Sequence, residues 1–84
     1  MTDNALREKL CSNLSRLLKE ERLRQKMSLN LLAEKAGLNR QTVKFIEDEE
    51  RTPTIDTLLR LTEVLEVPLE DLLKRARKGV NSRS

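Results

Sequence analysis

Eighty-four residues with 37% hydrophobic and 37% charged side chains bound the chain to one small domain with a thin core. Seventeen Lys and Arg against fourteen Asp and Glu leave a net charge of +3, which permits a nucleic-acid partner without demanding one. A single cysteine and no histidine exclude an intramolecular disulfide and leave no ligand set for a metal, so no metal and no cofactor are expected.

The N-terminal decapeptide MTDNALREKL lacks the apolar run of a signal peptide. No segment approaches the roughly 20 apolar residues of a membrane span, so a cytoplasmic protein with no membrane partner is expected. From about Asn4 to Gln25, Leu6, Leu10, Leu14, Leu17 and Leu18 recur at three- and four-residue steps, which predicts an amphipathic helix capped by Asp3 or Asn4. Cys11 lies beside this stripe and reads as a small, half-buried hydrophobe, because no second thiol or imidazole exists to join it. Lys26-Met27 breaks the pattern, and Ser28 is suited to cap a second helix.

Residues 29–47 carry the clearest pattern in the chain: two short helices joined by a tight turn. Leu31 or Leu32, Ala33 and Ala36 give the second helix a buried side, and Ala33 is small enough for another helix to cross close to it. Gly37 supplies the permissive backbone of the turn, Leu38 tucks beneath it, and Asn39 caps the third helix. Val43 and Ile46 face inward. Arg40, Gln41, Lys44 and Phe45 then form an outward stripe whose side-chain types suit the edges of DNA bases. Phe45 lies about 200° around the helix from Val43, which leaves it either to meet a thymine methyl or to pack at the helix edge or a subunit contact.

The polar stretch EDEERTP, residues 47–53, leads to Thr54, the expected cap of a fourth helix with an apolar face of Ile55, Leu58, Leu59, Leu61, Val64 and Leu65. Pro68 separates it from a short fifth helix containing Leu69, Leu72 and Leu73. The organisation expected is an extension over residues 1–13 continuous with the first helix, a domain over 14–77, and a basic, frayed tail over 78–84. Residues 48–73 hold eight Asp and Glu against Arg51 and Arg60 alone, so the positive charge lies elsewhere on the chain.

With these residues in place, MSLNLLAEKAGLNRQTVKFIE followed by ERTPTIDTLLRLTEVLEVPLEDLL resembles the lambda-repressor-like, Xre-type helix-turn-helix domain of small bacterial regulators, phage repressors and Cro proteins. The resemblance implies an all-α, five-helix fold with the helix-turn-helix at about 29–47. It further implies a DNA-binding transcriptional regulator of the repressor kind, and a homodimer on a pseudo-palindromic operator in double-stranded DNA. Carried over residue by residue, it puts Arg40, Gln41 and Lys44 on base-reading positions, Ser28 and Asn39 beside phosphates, and Thr42 against the backbone or a thymine methyl. It also pairs Arg22 with Glu47 as a brace between scaffold and reading helix, with Arg22 and Arg51 as additional phosphate contacts.

Four positions depart from the family's pattern: Leu29 stands where many members have Gln, Phe45 where a polar or basic residue is more usual, and Glu49 and Glu66 where Gly is common. A different class of function, an antitoxin or adaptor that binds a protein partner through the same helices, draws on the acidic loop and fourth helix. An enzyme is a poor fit, since there is no His and no glycine-rich phosphate loop.

Overall fold

Short polar side chains write the helix starts of this protein. In the computed structural model, which describes residues 3–81, Ser28 accepts from the Leu31 N–H at 3.0 Å and opens α2 (Leu29–Ala36). Asn39 accepts from the Gln41 N–H at 2.8 Å and opens α3 (Arg40–Glu47). Thr54 accepts from the Thr57 N–H at 3.1 Å and opens α4 (Ile55–Leu65). Each cap satisfies an N–H that the first helical turn leaves without an intrahelical acceptor. Pro68 precedes α5 (Leu69–Asn81), and its carbonyl accepts from the Asp71 and Leu72 N–H groups. The first helix, α1 (Asp3–Arg24), spans 22 residues, about 33 Å at the α-helical rise, and accounts for most of the molecule's 38 Å long dimension. The cap expected for it from Asp3 or Asn4 lies outside the described side chains.

All five helices pack around one core, and no strand occurs among the described residues. The long α1 lies along α5, α2 packs on α3 and α4, and α3 and α4 both reach back to α1. Leu18, Leu32, Val43, Ile46, Leu61, Leu65 and Leu72 are each 2% exposed or less, so every helix contributes to the centre. Between α2 and α3 the chain turns at Gly37, whose φ of +70° is left-handed. A Cβ there would also stand 3.1 Å from Arg60 Nη1, the group that donates to the Ala36 carbonyl at 3.3 Å. Leu38 N–H then donates to the Ala33 carbonyl at 2.8 Å, completing the stop of α2.

Three features differ from the sequence-based expectation. The fifth helix is 13 residues long and runs to Asn81, so Lys78 to Asn81 are helical rather than part of a tail; residues 82–84 lie outside the described part. Ala76 is fully buried against α1, and Asn13 Nδ2 donates to its carbonyl at 3.0 Å. At Gly79 an added Cβ would come within 3.0 Å of Asn13 Nδ2, so α5 lies close to α1 at this level. The interface with α5 thus begins before residue 14, and Leu10 also packs against the core. Finally, Ile55, Leu59 and Leu73 are exposed (65%, 43% and 45%), although the periodicity counted them among the apolar faces. Of the Leu31–Leu32 pair, Leu32 is the buried member.

Both helix ends where Gly is usual adopt the left-handed backbone, with φ of 64° at Glu49 and 60° at Glu66. Glu66 ends α4, its N–H donating to the Glu63 carbonyl at 3.2 Å, and the neighbouring Leu65 carbonyl accepts from Gln25 Nε2 at 2.7 Å. A side chain in this conformation carries a steric cost that Gly lacks. Glu66→Gly is expected to stabilise the fold by up to about 1 kcal/mol, the relief being partly offset by the freer unfolded chain. Thermal unfolding checks it: a lowered midpoint would show that the Glu66 side chain contributes more than its strain.

Candidate nucleic-acid interface

The second and third helices are held to the scaffold by one charged side chain. Arg22, near the end of α1, donates from Nε to Glu47 Oε2 at 2.7 Å and from Nη2 to Glu47 Oε1 at 2.9 Å. Its Nη1 donates to the Met27 carbonyl at 2.8 Å, one residue before the cap of α2. A single guanidinium therefore fixes the end of α1, the approach to α2 and the end of α3. The fork-to-fork geometry sets the angle of α3 as well as its distance. Both side chains are buried, 9% and 4% exposed. With these donors engaged and 7% of the residue exposed, Arg22 has little surface left to offer a phosphate.

The start of α3 presents Arg40 and Gln41, both exposed, with Gln41 opposite the buried Val43 and Arg40 at the flank. Thr42 is half-buried on the same turn. Lys44 continues outward, but its ammonium lies 2.7 Å from Asp48 Oδ2. That contact raises the Lys44 pKa above its ordinary value and lowers that of Asp48, the hydrogen bond being the main cause in each. Asp48 is the partner that sequence reasoning missed, although the four-residue spacing Lys44–Asp48 was there to be read.

Phe45 is half-buried, and the Arg51 guanidinium carbon lies 5.1 Å from its ring centroid. The Glu50 and Arg51 N–H groups both donate to the Phe45 carbonyl, at 2.8 and 3.2 Å. The loop after α3 is thereby folded back over the end of that helix. Phe45, which the sequence leaves between a thymine methyl and packing at the helix edge or a subunit contact, and Arg51, which the resemblance puts on a phosphate, are brought together with each other. Ser28 and Asn39 are both exposed, each with its side-chain oxygen occupied as a cap. Because each cap uses its oxygen as an acceptor, the Ser28 hydroxyl and the Asn39 amide N–H groups can still donate to an anion, beside the N-terminal dipole of their helices.

No group of His, Cys, Asp and Glu that could hold a metal ion occurs among the described residues. No helix among them is long and apolar enough to cross a membrane. Open grooves of about 600 and 350 Å³ flank α5, one lined by Asp71, Lys74, Arg75, Arg77 and Lys78 beside Val67, the other lying between α4 and α5.

Comparison with known proteins returns one consistent picture. A helix-turn-helix family model matches residues 18–72, which spans α2, α3, α4 and the adjoining parts of α1 and α5. An inferred HTH-type transcriptional regulatory protein of Methanococcoides burtonii is 35% identical over 68 residues, covering 77% of this chain. The chain spans only 21% of that relative's length. The crystal structure of a point mutant of the restriction-modification controller protein C.Esp1396I superposes with a TM-score of 0.79 at 29% identity, covering 89% of this chain and 97% of that one.

Proposed function

Because this chain belongs to the helix-turn-helix family, we propose that it is a sequence-specific, DNA-binding transcriptional regulator that reads the major groove with α3. Family and fold point to such a regulator rather than to an enzyme. The observation that carries the reading is the two-sided construction of α3. Val43, Ile46 and the Arg22–Glu47 bridge lock its inner side, while Arg40 and Gln41 stand exposed on its first turn. An Arg suits the O6 and N7 of guanine and a Gln the N6 and N7 of adenine, each through two hydrogen bonds. Lys44 is the third base-reading group, with Phe45 at the edge of the reading face. Ser28 and Asn39 at two helix N-termini, with Thr42 and Arg51, position the phosphates. The resemblance to a protein named as a controller in restriction-modification supports the regulatory reading.

The functional unit is a homodimer on a pseudo-palindromic site, with half-sites roughly one helical turn, about 34 Å, apart. The exposed apolar residues support α5 and α4 as its interface. Leu72 is fully buried and unavailable, whereas Leu73 is exposed, and Leu59 lines an open groove with Leu69 and Glu70. Along α5, Glu70 and Asp71 come first and Lys74, Arg75, Arg77 and Lys78 follow. Two copies set antiparallel about Leu73 would bring acidic turns opposite basic ones.

Selection of bound duplexes from a random DNA library tests the whole reading. A symmetric consensus with its halves about one turn apart is the expected result. No enrichment, with capture of a stoichiometric protein partner instead, would replace it with an interaction module of the antitoxin or adaptor kind.

A further inference from the structure

The ion pair on the outward side of α3 does nothing evident for the helix that carries it. Lys44 and Asp48 sit one turn apart, with side chains 45% and 35% exposed. A carboxylate at a helix C-terminus opposes the macrodipole. Lys followed by an acid four residues on is also the weaker of the two orders for a helical pair. At this exposure the pair contributes little to stability. Yet it joins a base-reading cation to the only described acid within hydrogen-bond reach of it. Around it, Arg40 precedes Lys44 on α3, Glu50 in the loop adds to the field at Lys44, and Lys19 of α1 adds to that at Asp48.

We propose that Asp48 is a specificity-determining residue of the α3 reading face: an internal counter-ion that holds Lys44 until an acceptor on the correct base displaces it. This rests on α3 as the DNA-reading helix and assigns regulation of affinity to a residue that touches no base. Non-specific binding is driven by phosphate neutralisation and counterion release. On a non-specific duplex Asp48 opposes that binding by occupying Lys44, the cation that would otherwise neutralise a phosphate. At a matching half-site Lys44 exchanges the carboxylate for a fixed acceptor such as guanine O6 or N7, so less is lost. The effect is a penalty weighted toward wrong sequences. Asp48→Asn removes the charge while keeping the size of the side chain and the 2.9 Å bond from the residue 48 N–H to the Lys44 carbonyl.

The test measures affinity against salt for the unaltered chain, Asp48→Asn, Glu49→Gln, Lys44→Ala and the Lys44→Ala/Asp48→Asn double variant. The probes are the duplex selected by the unaltered chain and a shuffled duplex of the same composition. Asp48→Asn is expected to steepen the salt dependence on the shuffled duplex by about 0.9 in log–log slope, an extra loss of about 3.5-fold between 50 and 200 mM salt. Its gain in affinity at low salt is larger on the shuffled than on the selected duplex, so selectivity falls. Glu49→Gln changes the charge equally but moves the slope less, and in the Lys44→Ala background Asp48→Asn moves it hardly at all. Equal gains on both duplexes, an equal effect of Glu49→Gln, or an Asp48→Asn effect that persists without Lys44 would each overturn the proposal. If the unaltered chain binds and Asp48→Asn leaves the slope unchanged, the role of Asp48 alone fails. If it retains neither duplex, the DNA-binding reading fails and this one with it.

Discussion

Glu47→Ala is expected to destabilise the fold by about 3–5 kcal/mol, the range found when one partner of a buried ion pair is removed. The cost does not come from losing two hydrogen bonds alone. Arg22, 7% exposed in the unaltered chain, is left with two of its donors no longer facing an acceptor. A domain of this size has a total stability of roughly 4–13 kcal/mol, so the variant is left close to unfolding. The thermal midpoint should drop by more than about 12 °C. Replacing both residues, in Arg22→Leu/Glu47→Leu, should recover most of the loss, because no unpaired charge is then buried. Equilibrium denaturation of the two variants checks this. A loss under about 1 kcal/mol for Glu47→Ala would mean that the pair behaves as a surface bridge.

The brace was not legible from spacing. Arg22 and Glu47 are 25 residues apart, and nothing in the periodicity of either helix joins them. Their pairing followed from the family resemblance, and the buried, two-pronged contact gives it a physical form. The caps at Ser28, Asn39 and Thr54 and the turn at Gly37 were legible, because each is a local bargain between one residue and the backbone two or three positions on. The left-handed positions at Glu49 and Glu66 were recognisable through the family resemblance, which has Gly there, whereas Lys26, with φ of 59°, carried no such signal.

What sequence patterning misjudged was cover rather than helicity. On α4 the apolar stripe is wider than the surface that α1, α2 and α5 present to it, so Leu58, Leu61 and Leu65 are buried while Ile55 and Leu59 stay exposed. Periodicity reports which side of a helix is apolar, not how much of that side meets a neighbour. The basic end of α5 misled in the opposite direction. Its composition suggests a solvated tail, yet buried Ala76 and the close approach at Gly79 let the helix continue along α1. Asn13, which ties the two helices through the Ala76 carbonyl, carries no sequence signal of that role, since its partner is 63 residues away.

Removing Arg40 and Gln41 together should remove most of the sequence discrimination while leaving the fold untouched. Both side chains are exposed, and neither takes part in a described hydrogen bond through its side chain. The Asn39 cap bonds the Gln41 backbone N–H and survives substitution by Ala, which also favours the helix. The unfolding free energy should therefore stay within about 0.5 kcal/mol of the unaltered chain. A two-point contact to a base contributes about 1–3 kcal/mol of discrimination, so losing two of them should weaken binding to the selected duplex by about 2–6 kcal/mol per half-site. That is about 30-fold to 10⁴-fold in affinity. On a shuffled duplex the same variant loses one positive charge and nothing else, so its affinity should fall only several-fold and its salt dependence should flatten by about 0.9 in slope. The ratio of the two losses is the decisive quantity, because a general electrostatic role would weaken both duplexes alike. Unchanged binding to the selected duplex would remove Arg40 and Gln41 from the reading face and leave α3 as a scaffold element.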